Sequence, residues 1–189
     1  MAYIKDGAYC PDDYKDEECD SCFSAEHPKP QKILLECGYN PQDAIFEIYD
    51  GCVKRDQAFV LDRVVVDTTC LVRPLIKIEF SSLVFFKAEG EGSCEQKIET
   101  GLLFELERIC NGNKEVLQCW QYEKEIEVKS EKLEYESSEP FTVTFCDRVC
   151  PGCCEYKIVV KGKDFKGDFA ALRVTKPNLS ALAQGQCCE

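Results

Sequence analysis

Short apolar runs separated by turn residues make up most of the chain from Gln31 onward. Within these runs apolar and polar residues alternate with period two, most cleanly at residues 76–80, 126–128 and 141–145. Such alternation is typical of a β-strand that buries one face and exposes the other. Helical periodicity is scarce. We therefore predict an all-β chain whose antiparallel strands stack as two sheets, a β-sandwich of jelly-roll type.

The predicted strands follow one another at short intervals, with Gly, Pro, Asn and Asp between them. We expect about ten strands, at residues 32–37, 44–50, 58–67, 75–80, 83–87, 95–110, 115–129, 141–146, 155–160 and 169–175. The charged run at residues 123–139 fits a short helix and period two about equally well. We interpret this run as strand.

Both ends of the chain depart from the strand pattern. Residues 1–30 are acidic, lack an apolar period and contain three prolines, which predicts a flexible N-terminal arm. We place the sandwich domain at residues 31–175 and a short C-terminal tail at residues 176–189. The first residues lack the charged-then-apolar order of a secretory signal, and no run approaches the roughly 18 apolar residues of a spanning helix. We expect no membrane insertion.

Composition and charge narrow the possible partners. With 189 residues, 44% of them hydrophobic, the chain can bury one sizeable core. Its formal net charge of −12 has the wrong sign for binding a phosphate backbone or an anionic membrane surface. We therefore predict no nucleic-acid partner.

Enzyme chemistry finds little support in the sequence. The only histidine, His27, lies on the arm, so a histidine-based triad or a three-histidine zinc site is excluded. No glycine-rich phosphate-binding motif occurs. We predict no catalytic residues, no cofactor and no enzymatic activity.

Cysteine is the informative residue, because the chain contains 15 of them. This density favours a disulfide scaffold, and the odd number leaves at least one thiol for a partner outside the chain. Two alternatives remain open. The pairs Cys19/Cys22 and Cys150/Cys153 have the spacing of a four-thiolate zinc site, and the second pair also resembles a redox motif, although between two predicted antiparallel strands.

The position of each cysteine predicts its role. Those on the arm and the tail are candidates for intermolecular disulfides, since an extended arm reaches about 3.3–3.6 Å per residue and so spans more than one domain radius. These candidates are Cys10, Cys19, Cys22, Cys187 and Cys188. The others, beside predicted strand ends or in one tight cluster, are candidates for internal bridges or acceptors of the arm, and some of them could simply pack in the core. They are Cys37, Cys52, Cys70, Cys94, Cys110, Cys119, Cys146, Cys150, Cys153 and Cys154.

Several strings resemble a cysteine-rich clostridial family of unknown function. They are Lys32-Ile-Leu-Leu-Glu-Cys37-Gly38, residues 64–71, residues 76–80 and residues 141–146 continuing to the cysteine cluster and Tyr156. The overall plan, a thiol-bearing arm attached to a β-sandwich, is also similar to the subunits of endospore appendages. That similarity implies a disulfide-linked, pilus-like fibre built from copies of the chain, on the spore surface, after release from a mother cell that lyses.

We therefore expect a structural subunit that self-assembles through its arm and its sheet edges. A zinc-binding module and a soluble, coat-associated or ligand-binding sandwich are the alternatives. A fibre subunit requires bridges between chains, a zinc module requires reduced thiols, and a soluble sandwich requires purely internal bridges.

Overall fold

The fold consists of β-strands in a computed structural model that describes residues 2–6, 31–49, 52–53, 57–91, 96–128, 132–166 and 171–187. All regular secondary structure within these ranges is β-strand, which confirms the all-β prediction. The strands are β1 (Ala2–Asp6), β2 (Gln31–Cys37), β3 (Ala44–Phe46), β4 (Ile48–Tyr49), β5 (Cys52–Val53), β6 (Ala58–Asp67), β7 (Leu71–Glu91), β8 (Gln96–Cys110), β9 (Asn113–Val128), β10 (Lys132–Arg148), β11 (Cys153–Lys166) and β12 (Ala171–Cys187).

The strands form two large antiparallel sheets and one small one. Sheet A has the order β1-β9-β8-β11-β6. Sheet B has the order β10-β7-β12-β2, and β3 pairs with β12 beside β2. Strands β4 and β5 form a two-stranded ribbon. Two stacked antiparallel sheets were predicted from the alternation, and the structure contains them.

The pairings are nested along the chain. The strand β2 pairs with β12, β6 with β11, β7 with β10, and β8 with β9. Further pairings, β12 with β7 and β11 with β8, complete each sheet. The chain is therefore folded like one long hairpin whose successive strand pairs are divided between the two sheets.

Inward-facing side chains of both sheets share one hydrophobic core. Phe104 of sheet A stacks on Phe141 of sheet B with ring centroids 4.0 Å apart, and Phe80 packs against both rings. All three rings are at most 1% exposed. In each of these strands the inward-facing residues are every second one, which is why the period-two pattern located the core.

The strands β7, β10, β11 and β12 are longer than the sequence predicts. The strand β7 is continuous through residues 81–82, because Ser82 is buried opposite Phe141 and does not break the ladder. The strand β12 runs to Cys187, so residues 176–187 extend sheet B where a tail was expected. Pro177 is accommodated because the register shifts between Thr175 and Asn178, with Lys176 at a φ of 52°.

The charged run at residues 123–139 contributes to two strands, the end of β9 and the start of β10, and the helical alternative is not observed in its described part. At the N-terminus, β1 pairs with β9 of sheet A, within the segment expected to be a flexible arm. The rest of that predicted arm lies outside the described residues. No helix among the described residues has the length and hydrophobicity needed to span a membrane.

Candidate functional site: the cysteine-rich end

Five of the described cysteines lie close together at one end of the sandwich, which we call the cysteine-rich end. It consists of the β6–β7 turn at residues 68–70, the β8–β9 turn at residues 111–112 and the β10–β11 connection at residues 149–152. The strands β6, β8 and β10 all end there, and β12 ends opposite Leu71. The nested pairing thus brings together cysteines from distant parts of the sequence.

One disulfide joins neighbouring strands of sheet A at this end. Cys110 of β8 and Cys154 of β11 are directly opposite in the register, with Cα atoms 4.5 Å apart. This distance is that of a non-hydrogen-bonded antiparallel pair, in which the side chains approach most closely. The bridge closes a loop with a sequence separation of 44, which corresponds to a stabilisation of about 2–4 kcal/mol.

Two further cysteines, Cys119 of β9 and Cys150 of the β10–β11 connection, are also disulfide-bonded. Cys150 belongs to the spacing that resembles both a zinc site and a redox motif. A disulfide-bonded sulfur has no thiolate to donate to a metal. Among the described residues, no group of three or more His, Cys, Asp or Glu side chains is arranged to hold a metal ion.

Four described cysteines are free thiols. Cys37, Cys146 and Cys153 are exposed, and Cys70 is half-buried. Cys70 and Cys153 lie at the cysteine-rich end, and Cys146 lies in β10 two residues before that strand ends. Cys37 ends β2 and lies opposite Ser180, further along sheet B. Exposed thiols are available to a second chain.

Thr68 fixes the two turns that carry the free thiols. Its backbone N–H donates to the carbonyl of Gly152 at 2.7 Å, and its hydroxyl donates to the same oxygen at 2.9 Å. The N–H of Gly152 donates back to the Thr68 hydroxyl at 3.2 Å. Because Thr68 is 1% exposed, these bonds are shielded from water. They hold the turn before Cys70 against the turn before Cys153.

An ion pair beneath this end links the two sheets. Arg108 of sheet A donates to both carboxylate oxygens of Asp147 in sheet B, at 3.1 and 2.9 Å, and Tyr156 donates to Asp147 at 2.8 Å. Burial opposes the charged guanidinium, but Asp147 and Glu115 outweigh burial and raise the pKa of Arg108. Burial, with the adjacent Asp147 charge, raises the pKa of Tyr156. The network immobilises β10 beside Cys146.

Lys32 lies next to Cys70, with its Nζ 3.2 Å from the sulfur. Sequence reasoning missed this contact because the two residues are 38 positions apart. The contact depends on the pairing of β2 with the end of β12, which no local pattern reveals. Sequence reasoning also missed the cross-sheet pair of Arg108 and Asp147, because these two residues are 39 positions apart.

The remaining predicted site residues are only partly described. Cys10, Cys19, Cys22, Cys94 and Cys188 lie outside the described residues. Cys52 belongs to β5, and Cys187 ends β12 opposite Leu71. The structure therefore brings together Cys70, Cys110, Cys150, Cys153 and Cys154, and places Cys37 and Cys119 elsewhere. The proposed roles of the arm and tail thiols stay predictions.

A family model described as a domain of unknown function (DUF4489) matches residues 31–184, so the chain belongs to that family. The matched range begins at β2 and ends within β12, beyond the domain boundary predicted at residue 175. No curated protein matches the chain. The family assignment confirms a family of unknown function and leaves clostridial origin and a relation to endospore appendages as predictions.

Proposed function

We propose that this protein is a structural subunit that self-assembles into a disulfide-cross-linked extracellular fibre, a spore appendage or a spore-surface filament. The observation that carries the proposal is the coexistence of formed disulfides and exposed free thiols in one domain. Conditions that oxidise Cys110 and Cys154 also oxidise exposed thiols. Bonds between Cys37, Cys146 or Cys153 and cysteines of other copies would then link subunits.

The donors in this proposal are the cysteines of the arm and of the C-terminus. These are Cys10, Cys19, Cys22, Cys187 and Cys188. The acceptors are the exposed thiols of the domain, and Cys153 is the strongest candidate. It is exposed at the cysteine-rich end, and the Thr68–Gly152 hydrogen bonds hold its turn in place. A rigid acceptor reduces the conformational entropy lost when the cross-link forms.

We also propose that the domain is a jelly roll. In a jelly roll a long hairpin is rolled up so that the first strand pairs with the last, the second with the last but one, and so on inward. The nested pairings of β2 with β12, β6 with β11, β7 with β10 and β8 with β9 support this topology. An experimental structure tests it through the strand order 1-8-3-6 facing 2-7-4-5, counting these eight strands in chain order.

A structural role, and not an enzymatic one, is supported by the use of the buried polar groups. Arg108, Asp147 and Tyr156 bind one another across the sheets, as do Lys124 and Glu139. These groups are occupied in holding the sandwich closed. A rigid sandwich whose two sheets are joined by buried ion pairs suits a subunit that must survive outside the cell.

The experiment oxidises the purified full-length chain and compares gels with and without reductant, beside negative-stain micrographs. We expect a ladder of covalent multimers without reductant, and fibres that resist hot detergent until reductant is added. Peptide mapping without reduction should find arm or tail cysteines bonded to domain cysteines of other copies.

Two variants sharpen this test. Deleting residues 1–30 together with Cys187→Ser and Cys188→Ser removes every proposed donor and should leave a folded domain that makes no detergent-resistant fibre. The second variant replaces the acceptor thiols by Cys37→Ser, Cys146→Ser and Cys153→Ser in the full-length chain, which should abolish the ladder without unfolding the domain. An oxidised wild-type chain that remains monomeric, with only internal bridges, would contradict the proposal.

A further inference from the structure

One edge of sheet B is open in the part of the chain that the structure describes. The strand β2 pairs along one side with β12, and no described strand pairs with its other side. Beyond its last residue the chain is firmly held, because the buried carboxylate of Asp62 accepts hydrogen bonds from Asn40 N at 3.2 Å and Leu179 N at 3.1 Å. A fixed edge strand with unpaired backbone groups is a template for another strand.

The open edge is also apolar. Ile33 is 60% exposed and Leu35 is 67% exposed. In the register, Leu35 is opposite Leu182, and Gln184 lies between Ile33 and Leu75. Both leucines of these neighbouring strands, Leu75 and Leu182, are exposed as well. Natural edge strands are usually protected against association, so a cluster of this kind marks an interaction surface.

The sequence of β2 identifies the partner. Residues 32–36 read Lys-Ile-Leu-Leu-Glu. If two copies of β2 pair antiparallel about Leu34, Lys32 of each copy is opposite Glu36 of the other, and Ile33 is opposite Leu35. Within residues 32–36 every direct cross-strand pair is then either apolar or oppositely charged, the pairs that stabilise a sheet. Shifting the centre by one residue places a charge opposite an apolar side chain.

We propose that β2 is a two-fold interface at which two copies of the chain join their B sheets edge to edge. The contact extends the proposed self-assembly, on which its biological role rests, by naming a noncovalent dimer as the building unit. Lys32 can serve both its own Cys70 and the partner copy's Glu36, because an ammonium group has three donors. The two-fold axis repeats each charge pair, so one substitution acts twice.

The test measures the oligomeric state of the full-length chain by sedimentation equilibrium in reductant, where disulfides between chains cannot form. We expect a reversible dimer at about 100 µM protein, a concentration suited to a small interface. Glu36→Lys places Lys32 opposite a lysine twice, and Lys32→Glu places Glu36 opposite a glutamate twice. Each should weaken the dimer at least about 10-fold.

The decisive variant combines both changes. Lys32→Glu with Glu36→Lys restores opposite charges in the same antiparallel register and should restore the dimer. Glu134→Lys, at an exposed position of β10, makes the same charge change elsewhere and should leave dimerisation unaltered. Circular dichroism of each variant should retain the wild-type strand signal, since both substituted side chains are exposed.

Three results would overturn the inference: a monomeric wild type, a dimer that ignores the single substitutions, or a double variant that stays monomeric. A failure of this inference can be distinguished from a failure of the proposed function. Covalent multimers on a gel without reductant test the cross-links alone. A reducible ladder without a dimer in reductant overturns only this inference, and a dimer without a ladder overturns only the fibre.

Discussion

The two edges of sheet B differ in how they end the sheet. The strand β10 carries Pro140, which cannot donate to a further strand, and exposes Glu134 and Glu136. The strand β2 has no proline and exposes Ile33 and Leu35. Among the described residues the same sheet therefore has one protected edge and one open edge, as the proposed association through β2 requires.

The protected edge is also tied to the opposite sheet. Lys124 of β9 pairs with Glu139 of β10, and Tyr122 donates to the same carboxylate at 3.0 Å. The side chain of Lys124 is 1% exposed and lies 5.1 Å from the ring centroid of Tyr135. The edge at β10 thus contributes to folding, while the edge at β2 contributes little to the core. The following substitutions test that division.

The largest difference is expected between Phe141→Ala and Leu35→Ala. Phe141 of β10 is fully buried and stacks on Phe104, so its removal should lower the free energy of unfolding by about 3–5 kcal/mol. Leu35 is 67% exposed, and its removal should change that free energy by less than about 0.5 kcal/mol. Urea unfolding of both variants, in reductant, measures the difference. Similar losses would show that β2 is as much a part of the core as β10.

Glu139→Ala should give the next largest effect. It leaves the buried Lys124 ammonium without its carboxylate, which should lower the free energy of unfolding by about 2 kcal/mol. The matched control is Glu134→Ala, which removes an exposed carboxylate from the same strand. Adding Lys124→Met should recover most of the loss. If both alanine variants unfold alike, the pair does not close this edge.

The contribution of Glu139 should disappear in acid. Burial raises the pKa of Glu139, but hydrogen bonds from Lys124 and Tyr122 outweigh burial, so that the pKa is lowered from its usual value of 4.5. A lowered pKa in the folded state stabilises the protein above the unfolded-state value, and the stabilisation is lost as the pH falls through the folded-state value. The stability difference between wild type and Glu139→Ala should therefore be constant above about pH 5 and shrink below about pH 4. A difference that does not depend on pH would assign the effect to packing.

The sequence located most strands because alternation depends on local burial. The predicted strand at residues 58–67 coincides with β6, and the one at residues 95–110 begins one residue before β8. Predictions failed where tertiary contacts override a local signal. Pro177 indicated an end, but the bulge at Lys176, whose N–H donates to Asp43 at 3.0 Å, lets β12 continue.

The candidate site was less predictable than the fold. Its cysteines are visible in the sequence, but whether each is bonded or free depends on which strands are neighbours. Cys110 and Cys154 are paired because β8 and β11 are adjacent, although 44 positions separate them. The run Ile33-Leu34-Leu35 identifies a strand, yet an unbroken apolar run indicates burial on both faces more often than an exposed edge.

The most direct test of edge protection is Pro140→Val, for which we expect only a small effect on stability. Pro140 pairs with Leu83 in the ladder and is exposed. Valine restores a backbone N–H at the outer side of β10, where the flanking glutamates remain. The free energy of unfolding should therefore change by less than about 1 kcal/mol.

Self-association in reductant should nevertheless increase by about twofold, measured by sedimentation velocity, because the edge gains a donor for a further strand. Pro41→Val, at an exposed proline outside the strands, is the matched control and should sediment like the wild type. If Pro140→Val also sediments like the wild type, the carboxylates and the Lys124–Glu139 contact protect this edge without help from the proline.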